Sequence, residues 1–257
     1  PENPSLYTAV SEISTMSGAA KKMTDRIETS FGVRTVAINA KEGFLLNGKP
    51  VELKGACMHH DNGPLGSAAY DRAEERRVEL MKASGYNAIR TAHNPPSTAF
   101  LDACDRLGIL VIDEAFDMWS EPKNPEDYNL YFDEWWQKDI ESMVVRDRNH
   151  PSVVLWSIGN EIPERGKPEG YKLAKLLGDY VKQLDPSRMI TSAVNSVTLD
   201  KDPYLATLDV SGYNYAIDNY VKDHKRLPDR IIVSTESYPL EAFDYWMAVK
   251  DYPWVIG

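Results

Sequence analysis

From Phe44 onward the chain alternates short runs of β-branched and aliphatic residues with longer amphipathic stretches. The short runs, at residues 51–56, 86–91, 109–113, 153–157, 189–193, 208–213 and 231–236, predict strands. Between them the apolar spacing becomes helical: Trp135, Trp136, Ile140, Met143 and Val144 fall at helical spacing in a predicted helix over 133–148, with at least one of the two tryptophans expected in the core. Gly108 stops a second helix over 97–107, and Asp185-Pro186 stops a third over 171–184. Asp71 with Glu74 predicts a capping box at the start of a further helix, which Gly85 terminates. Such alternation predicts parallel βα units, hence an α/β fold.

Residues 1–40 follow a different pattern. Leu6 to Val10 and Arg34 to Ile38 look strand-like and bracket a polar stretch from Ser14 to Asp25, which predicts a small β unit ahead of an α/β domain over 41–257.

Polar residues gather at the C-terminal ends of the predicted strands: His59, His60 and Asp61; Arg90 and His93; Asp113 and Glu114; Asn160 and Glu161; Tyr213; Glu236. In a (β/α)8 TIM barrel all these ends converge on one face. A doubly wound sheet gathers few strands at its switch point and usually carries a Gly-rich phosphate turn, which this sequence lacks. The barrel is therefore expected, apparently incomplete, because the eighth strand would only be starting at residues 253–257.

Composition narrows the partners. The 257 residues, 42% of them hydrophobic, suffice for one large core, and a net charge of −10 argues against nucleic acid or an anionic membrane. Cys57 and Cys104 are too few for a disulfide framework or a multi-cysteine zinc site and are expected to be buried thiols. No apolar run is long enough to span a bilayer. The chain opens on Pro1 rather than Met, so a piece of a longer protein is expected, with a periplasmic or extracellular setting favoured over a cytoplasmic one.

The most informative segment runs from Asp147-Arg148-Asn149-His150-Pro151 through Val153-Val154-Leu155-Trp156 to Gly159-Asn160-Glu161, a polar turn feeding a buried strand that ends on a carboxylate. It closely resembles the acid/base signature of glycoside hydrolase family 2. Asn87-Ala88-Ile89-Arg90-Thr91-Ala92-His93-Asn94-Pro95 resembles that family's second-strand motif, and Lys54-Gly55-Ala56-Cys57-Met58-His59-His60-Asp61 its first. Ile231-Ile232-Val233-Ser234-Thr235-Glu236 is similar to the nucleophile strand, and Tyr213 to a sixth-strand tyrosine that contacts the nucleophile.

The resemblance implies Glu161 as acid/base and Glu236 as nucleophile, with His59, Arg90, His93, Asn160, Tyr213 and Trp119 binding substrate. From the residues alone the histidines suit structural hydrogen bonds or a metal equally well, and Trp119 suits a sugar platform or packing beneath a loop. An isolated strand-end glutamate is ordinarily a solvated or ion-paired residue; two in ordered motifs reverse that preference. Retaining hydrolysis needs one protonated and one ionised carboxyl, about 5 to 5.5 Å apart.

No cofactor is implied. Where some family members place a magnesium-binding Glu-x-His after Asp113-Glu114-Ala115, this chain has Met118-Trp119-Ser120, so no metal is expected. The start, Pro1-Glu2-Asn3-Pro4-Ser5-Leu6-Tyr7, is similar to the end of the immunoglobulin-like domain that precedes the family's barrel, which makes residues 1–40 its last strands. Exposed apolar surface and self-association into a homo-oligomer are then expected. The implied function is that of a retaining exo-β-glycosidase, first a β-galactosidase, with β-glucuronidase or a non-catalytic carbohydrate-binding barrel, a fragment inactive by truncation, as alternatives. β-Mannosidase is less favoured.

Overall fold

The computed structural model describes residues 2–18 and 20–257. β1 (Leu6–Ser17) and β2 (Ala20–Gly32) form an antiparallel hairpin, exposed over most of its length, in which Leu6 lies opposite Gly32 and Ser17 opposite Ala20. The polar stretch expected between two short strands is thus the paired outer half of two long ones. Its alternating residues, Ile13, Thr15, Met23 and Ile27 among them, suit extended backbone although no second layer covers them.

β3 (Val36–Asn39), β4 (Gly43–Leu46) and β5 (Lys49–Pro50) make a small antiparallel sheet. Gly43 enters β4 at φ 75°, where a Cβ would lie 2.7 Å from the Pro253 carbonyl oxygen, so both the turn and the close approach require glycine.

The remaining strands form one parallel sheet in chain order: β6 (Gly55–His59), β7 (Ala88–Ala92), β8 (Leu110–Glu114), β9 (Val153–Asn160), β10 (Met189–Val194), β11 (Ser211–Asn214) and β12 (Ile232–Glu236). Trp254 to Gly257 run beside β12: Ile232 N donates to Trp254 O at 2.8 Å and Ser234 N to Gly257 O at 2.8 Å. Leu53 N donates to Ile256 O at 3.1 Å, so this segment bridges the space between β12 and the approach to β6. The result is a nearly closed parallel barrel, in agreement with the expected incomplete TIM barrel.

Two strand starts differ most from expectation. β6 starts at Gly55 rather than Val51, because Lys49 and Pro50 already pair with β4 and Leu53 is taken by Ile256. β11 starts at Ser211 because Leu208 belongs to a turn, its N–H donating to Leu205 O.

The helices are α1 (Asp71–Ala83), α2 (Thr98–Leu107), α3 (Asn129–Asp147), α4 (Pro168–Leu184), α5 (Asp202–Leu205), α6 (Tyr220–Arg226) and α7 (Ala242–Asp251). The capping box is absent: Tyr70 is the N-cap of α1 and offers no side-chain bond. Glu74 is instead buried and accepts from Asn62 Nδ2, Arg77 Nη1 and Ser97 Oγ, joining α1 to two loops. Ser97 caps α2 through Phe100 N at 3.2 Å, and Gly108 ends it at φ 70°.

Alternation along each strand divides the core. Leu110, Ile112, Leu155, Val233 and Ile256 pack together with Ile38 and Phe44 of the small sheet. Val111, Val153, Trp156 and Ile232 pack instead with helix residues such as Phe100, Ile140 and Leu177. Four consecutive strands are followed within two residues by a non-glycine residue in left-handed backbone: Phe116 at φ 74°, Glu161 at 45°, Ser196 at 49° and Tyr215 at 54°. Among the described residues no helix is long and apolar enough to cross a membrane.

Candidate active site

Arg90, in the middle of β7 and 4% exposed, is the hub of the polar residues above the barrel core. Its Nε and Nη2 donate to the two oxygens of Glu114 at 2.9 and 2.7 Å. Nη2 also donates to Asn160 Oδ1 at 2.8 Å, and Nη1 to Thr235 O and Glu236 Oε1, both at 3.0 Å. A planar guanidinium meets such converging acceptors in a way that a lysine does not. Burial works against the charge of Arg90, but Glu114 outweighs it and holds the guanidinium above its ordinary value. Burial likewise pushes against ionisation of Glu114, and Arg90 with His93 holds that carboxylate below the usual range.

Glu236 ends β12 with 14% of its side chain exposed. Besides Arg90 on Oε1, it receives the Tyr215 hydroxyl on Oε2, a bond that pushes the phenol up from its ordinary value. Glu161 follows β9. Its N–H donates to Ala193 O at 2.8 Å, and its Oε1 accepts from Asn214 Nδ2 at 2.9 Å. Asn214 in turn accepts from Thr235 Oγ1 at 2.5 Å, so β11 links β9 and β12 just where Glu161 and Glu236 emerge.

The other expected residues divide into two groups. Asn160 and His93 enter the same network: Asn160 Nδ2 donates to Asp117 Oδ1 at 2.8 Å, and His93 Nδ1 lies 2.9 Å from Glu114 Oε1. His59 is exposed at the rim and meets His93 edge to face, with ring centroids 5.0 Å apart. Tyr213 and Trp119 lie elsewhere. Tyr213 is fully buried and points to the helix layer, its hydroxyl donating to Asp223 at 2.7 Å; the phenol on Glu236 belongs to Tyr215. Trp119 is also fully buried, its Nε1 donating to Ile158 O at 2.9 Å and its ring packed with Phe132 and Tyr204, so it offers no face to a sugar.

Glu114, Asp117, Asn214, Tyr215 and Thr235 join the network without having been nominated from the sequence. For Asn214 the signal was period-two alternation, since a strand that sends Tyr213 outward sends its neighbour inward. Tyr215 escapes that rule because its left-handed backbone breaks the alternation. Of the two tryptophans, at least one of which is expected to pack in the core, Trp136 packs against Tyr180 and Trp135 is exposed beneath Lys138.

Metal-ligand atoms of Asp102, Asp105 and His150 come within 4.8 Å of one another. They are already explained by protein contacts: His150 Nδ1 lies 2.6 Å from Asp105 Oδ2, and Ser152 N donates to Asp105 Oδ1 at 2.9 Å.

The family model described as the TIM barrel domain of glycosyl hydrolases family 2 matches residues 36–238. The chain belongs to glycoside hydrolase family 2. It is similar to the β-galactosidase BoGH2A of Bacteroides ovatus, with 38% identity over 92% of this chain and 31% of that protein. It is also similar to the β-glucuronidase of Felis catus, with 34% identity over 82% of this chain and 32% of the relative. A solved family 2 structure from Bacteroides cellulosilyticus superimposes with a TM-score of 0.93 at 53% identity, covering 98% of this chain and 32% of that one. This family 2 chain thus spans about a third of the length of these relatives.

Proposed function

We propose that the protein is a retaining exo-β-glycosidase in which Glu236 is the nucleophile and Glu161 the acid/base. The observation that carries this reading is the unequal surroundings of the two carboxyls. Glu236 is bonded by a guanidinium and a phenol, two donors that fix the direction of a nucleophile's oxygens, whereas the side-chain donor on Glu161 is the neutral amide of Asn214.

In the first half-reaction Glu161 protonates the glycosidic oxygen while Glu236 attacks the anomeric carbon, forming a glycosyl ester as the aglycone leaves. In the second, Glu161 takes a proton from water, which attacks the same carbon and frees Glu236. Tyr215 and Arg90 hold the carboxylate in place and receive it again when the ester breaks. Protein carboxyl groups carry each of these steps, and neither a cofactor nor a metal is assigned a part.

A terminal β-galactoside is the proposed substrate. It fits the similarity to the Bacteroides ovatus β-galactosidase over 92% of the chain. A terminal β-glucuronide is the alternative, in keeping with 34% identity to the β-glucuronidase of Felis catus over 82% of the chain.

The test is incubation with activated 2-fluoro-galactosyl and 2-fluoro-glucuronyl inactivators, followed by peptide mapping. Labelling of Glu236 by the galacto reagent is expected. Labelling by the glucurono reagent alone would replace the substrate, and no labelling would favour a binding-only barrel.

A further inference from the structure

The loop between β8 and α3 grips the turn that carries Glu161 at several points. Lys123 Nζ donates to the Asn160 carbonyl oxygen at 3.0 Å and to Asp117 Oδ1 at 2.6 Å. The same Asp117 oxygen accepts from Asn160 Nδ2 at 2.8 Å, and Phe116 O accepts from Asn160 N at 3.0 Å. Further along, Glu121 N donates to Glu164 Oε1 at 2.7 Å, and Lys167 pairs with the Glu121 carboxylate. The lysine is itself braced, because Lys123 N and Asn124 N both donate to Asp127 Oδ2, at 2.8 and 2.6 Å.

Glu161 occupies left-handed backbone at φ 45°, a conformation that a non-glycine residue keeps only when its surroundings enforce it. The peptide joining Asn160 to Glu161 is the lever: its carbonyl is held by Lys123 and its N–H by Ala193 O. Lys123 keeps 24% of its side chain exposed, and its ammonium bonds a backbone oxygen rather than either proposed reacting carboxyl.

We propose that Lys123 and Asp117 act as a clamp that positions the turn from Asn160 to Glu161 for proton transfer. The proposal rests on the acid/base reading of Glu161. Lys123 is a positioning residue: its effect passes through the direction of the Glu161 carboxyl, and displacement of that group weakens protonation of the leaving oxygen.

The test compares Lys123→Met, Lys123→Arg and the parent protein on galactosides with a poor leaving group, such as phenol, and a good one, such as 2,4-dinitrophenol. Misdirection of an acid should lower kcat/KM about 10- to 100-fold for the phenyl glycoside. It should cost less than about threefold for the dinitrophenyl glycoside, which departs with little protonation. Lys123→Arg, which restores a cation and donors, should recover most of the loss. Labelling of Glu236 by the 2-fluoro reagent should persist in every variant.

Equal losses on both substrates, or no loss on either, would overturn the clamp. Absence of the Glu236 label in the parent would instead sink the glycosidase reading. If Lys123→Met does not fold, Asp117→Asn serves: it keeps the shape and an acceptor oxygen but removes the ion pair, and a smaller loss with the same leaving-group bias is expected.

Discussion

Asn214 donates its amide to Oε1 of Glu161 at 2.9 Å, while its own carbonyl oxygen accepts from the Thr235 hydroxyl beside Glu236. The acceptor bond from Thr235 fixes which end of the amide faces Glu161. A buried amide oriented from both ends thus couples the two strands that carry the proposed catalytic groups.

Replacing Asn214 by Ala should leave the Thr235 hydroxyl unpaired in a buried place, at a cost of about 1–3 kcal/mol. It should also lower kcat for phenyl galactosides more than for dinitrophenyl galactosides. Urea unfolding together with both substrates checks this. An unchanged rate would remove Asn214 from the network.

Tyr215→Phe and Tyr213→Phe should separate cleanly. Loss of the Tyr215 hydroxyl removes a donor from Glu236 and should slow labelling by the 2-fluoro reagent, with little change in Tm. Loss of the Tyr213 hydroxyl takes one donor from the buried Asp223 carboxylate, which keeps Arg226, and should lower Tm while sparing the labelling rate. The reverse outcome would restore the assignment expected from sequence.

Glu114→Ala should be among the most damaging single changes. Breaking a buried ion pair from one side costs up to about 3–5 kcal/mol, and Arg90, left with Glu236 as its remaining carboxylate, would be free to shift on Glu236 and Asn160. Urea midpoints measure the first effect and the 2-fluoro labelling rate the second.

A pH effect is expected away from the site. Asp113 is wholly buried with neither oxygen paired to a donor, and burial, reinforced by the neighbouring Asp147, pushes its carboxyl well above the usual range. Its folded pKa lies above the unfolded one, so its contribution to stability is full at low pH and is lost as pH rises toward the folded value. Asp113→Asn supplies a donor without a proton to lose. Its stability relative to the parent should therefore rise between about pH 5 and about pH 8, as read from urea midpoints.

What the sequence disclosed follows from what repeats. Strand and helix alternation gave the barrel because buried strands and amphipathic helices differ in period, and three ordered motifs carried Glu161, Glu236, Arg90, Asn160 and His93 to one end of it. Tyr215 was illegible because no periodicity announces a left-handed residue after a strand. Trp119 was misread because a loop that folds back onto a barrel buries residues that local pattern leaves open. The hairpin from Leu6 to Gly32 was read too short because polar alternation without a covering layer looks like loop.

The left-handed residues after β8 to β11 have a consequence for evolution and engineering. Each holds a side chain in a conformation that glycine would adopt at less cost, by about 1–3 kcal/mol. Selection for thermal endurance alone would favour glycine at Glu161, Ser196 and Tyr215, though not at Phe116, whose buried ring packs on Tyr128 and Phe132, and two of those three replacements would delete groups of the proposed catalytic network. Variants chosen for heat resistance should therefore drift toward inactivity at these positions, so screens for hardier forms need turnover as a second criterion.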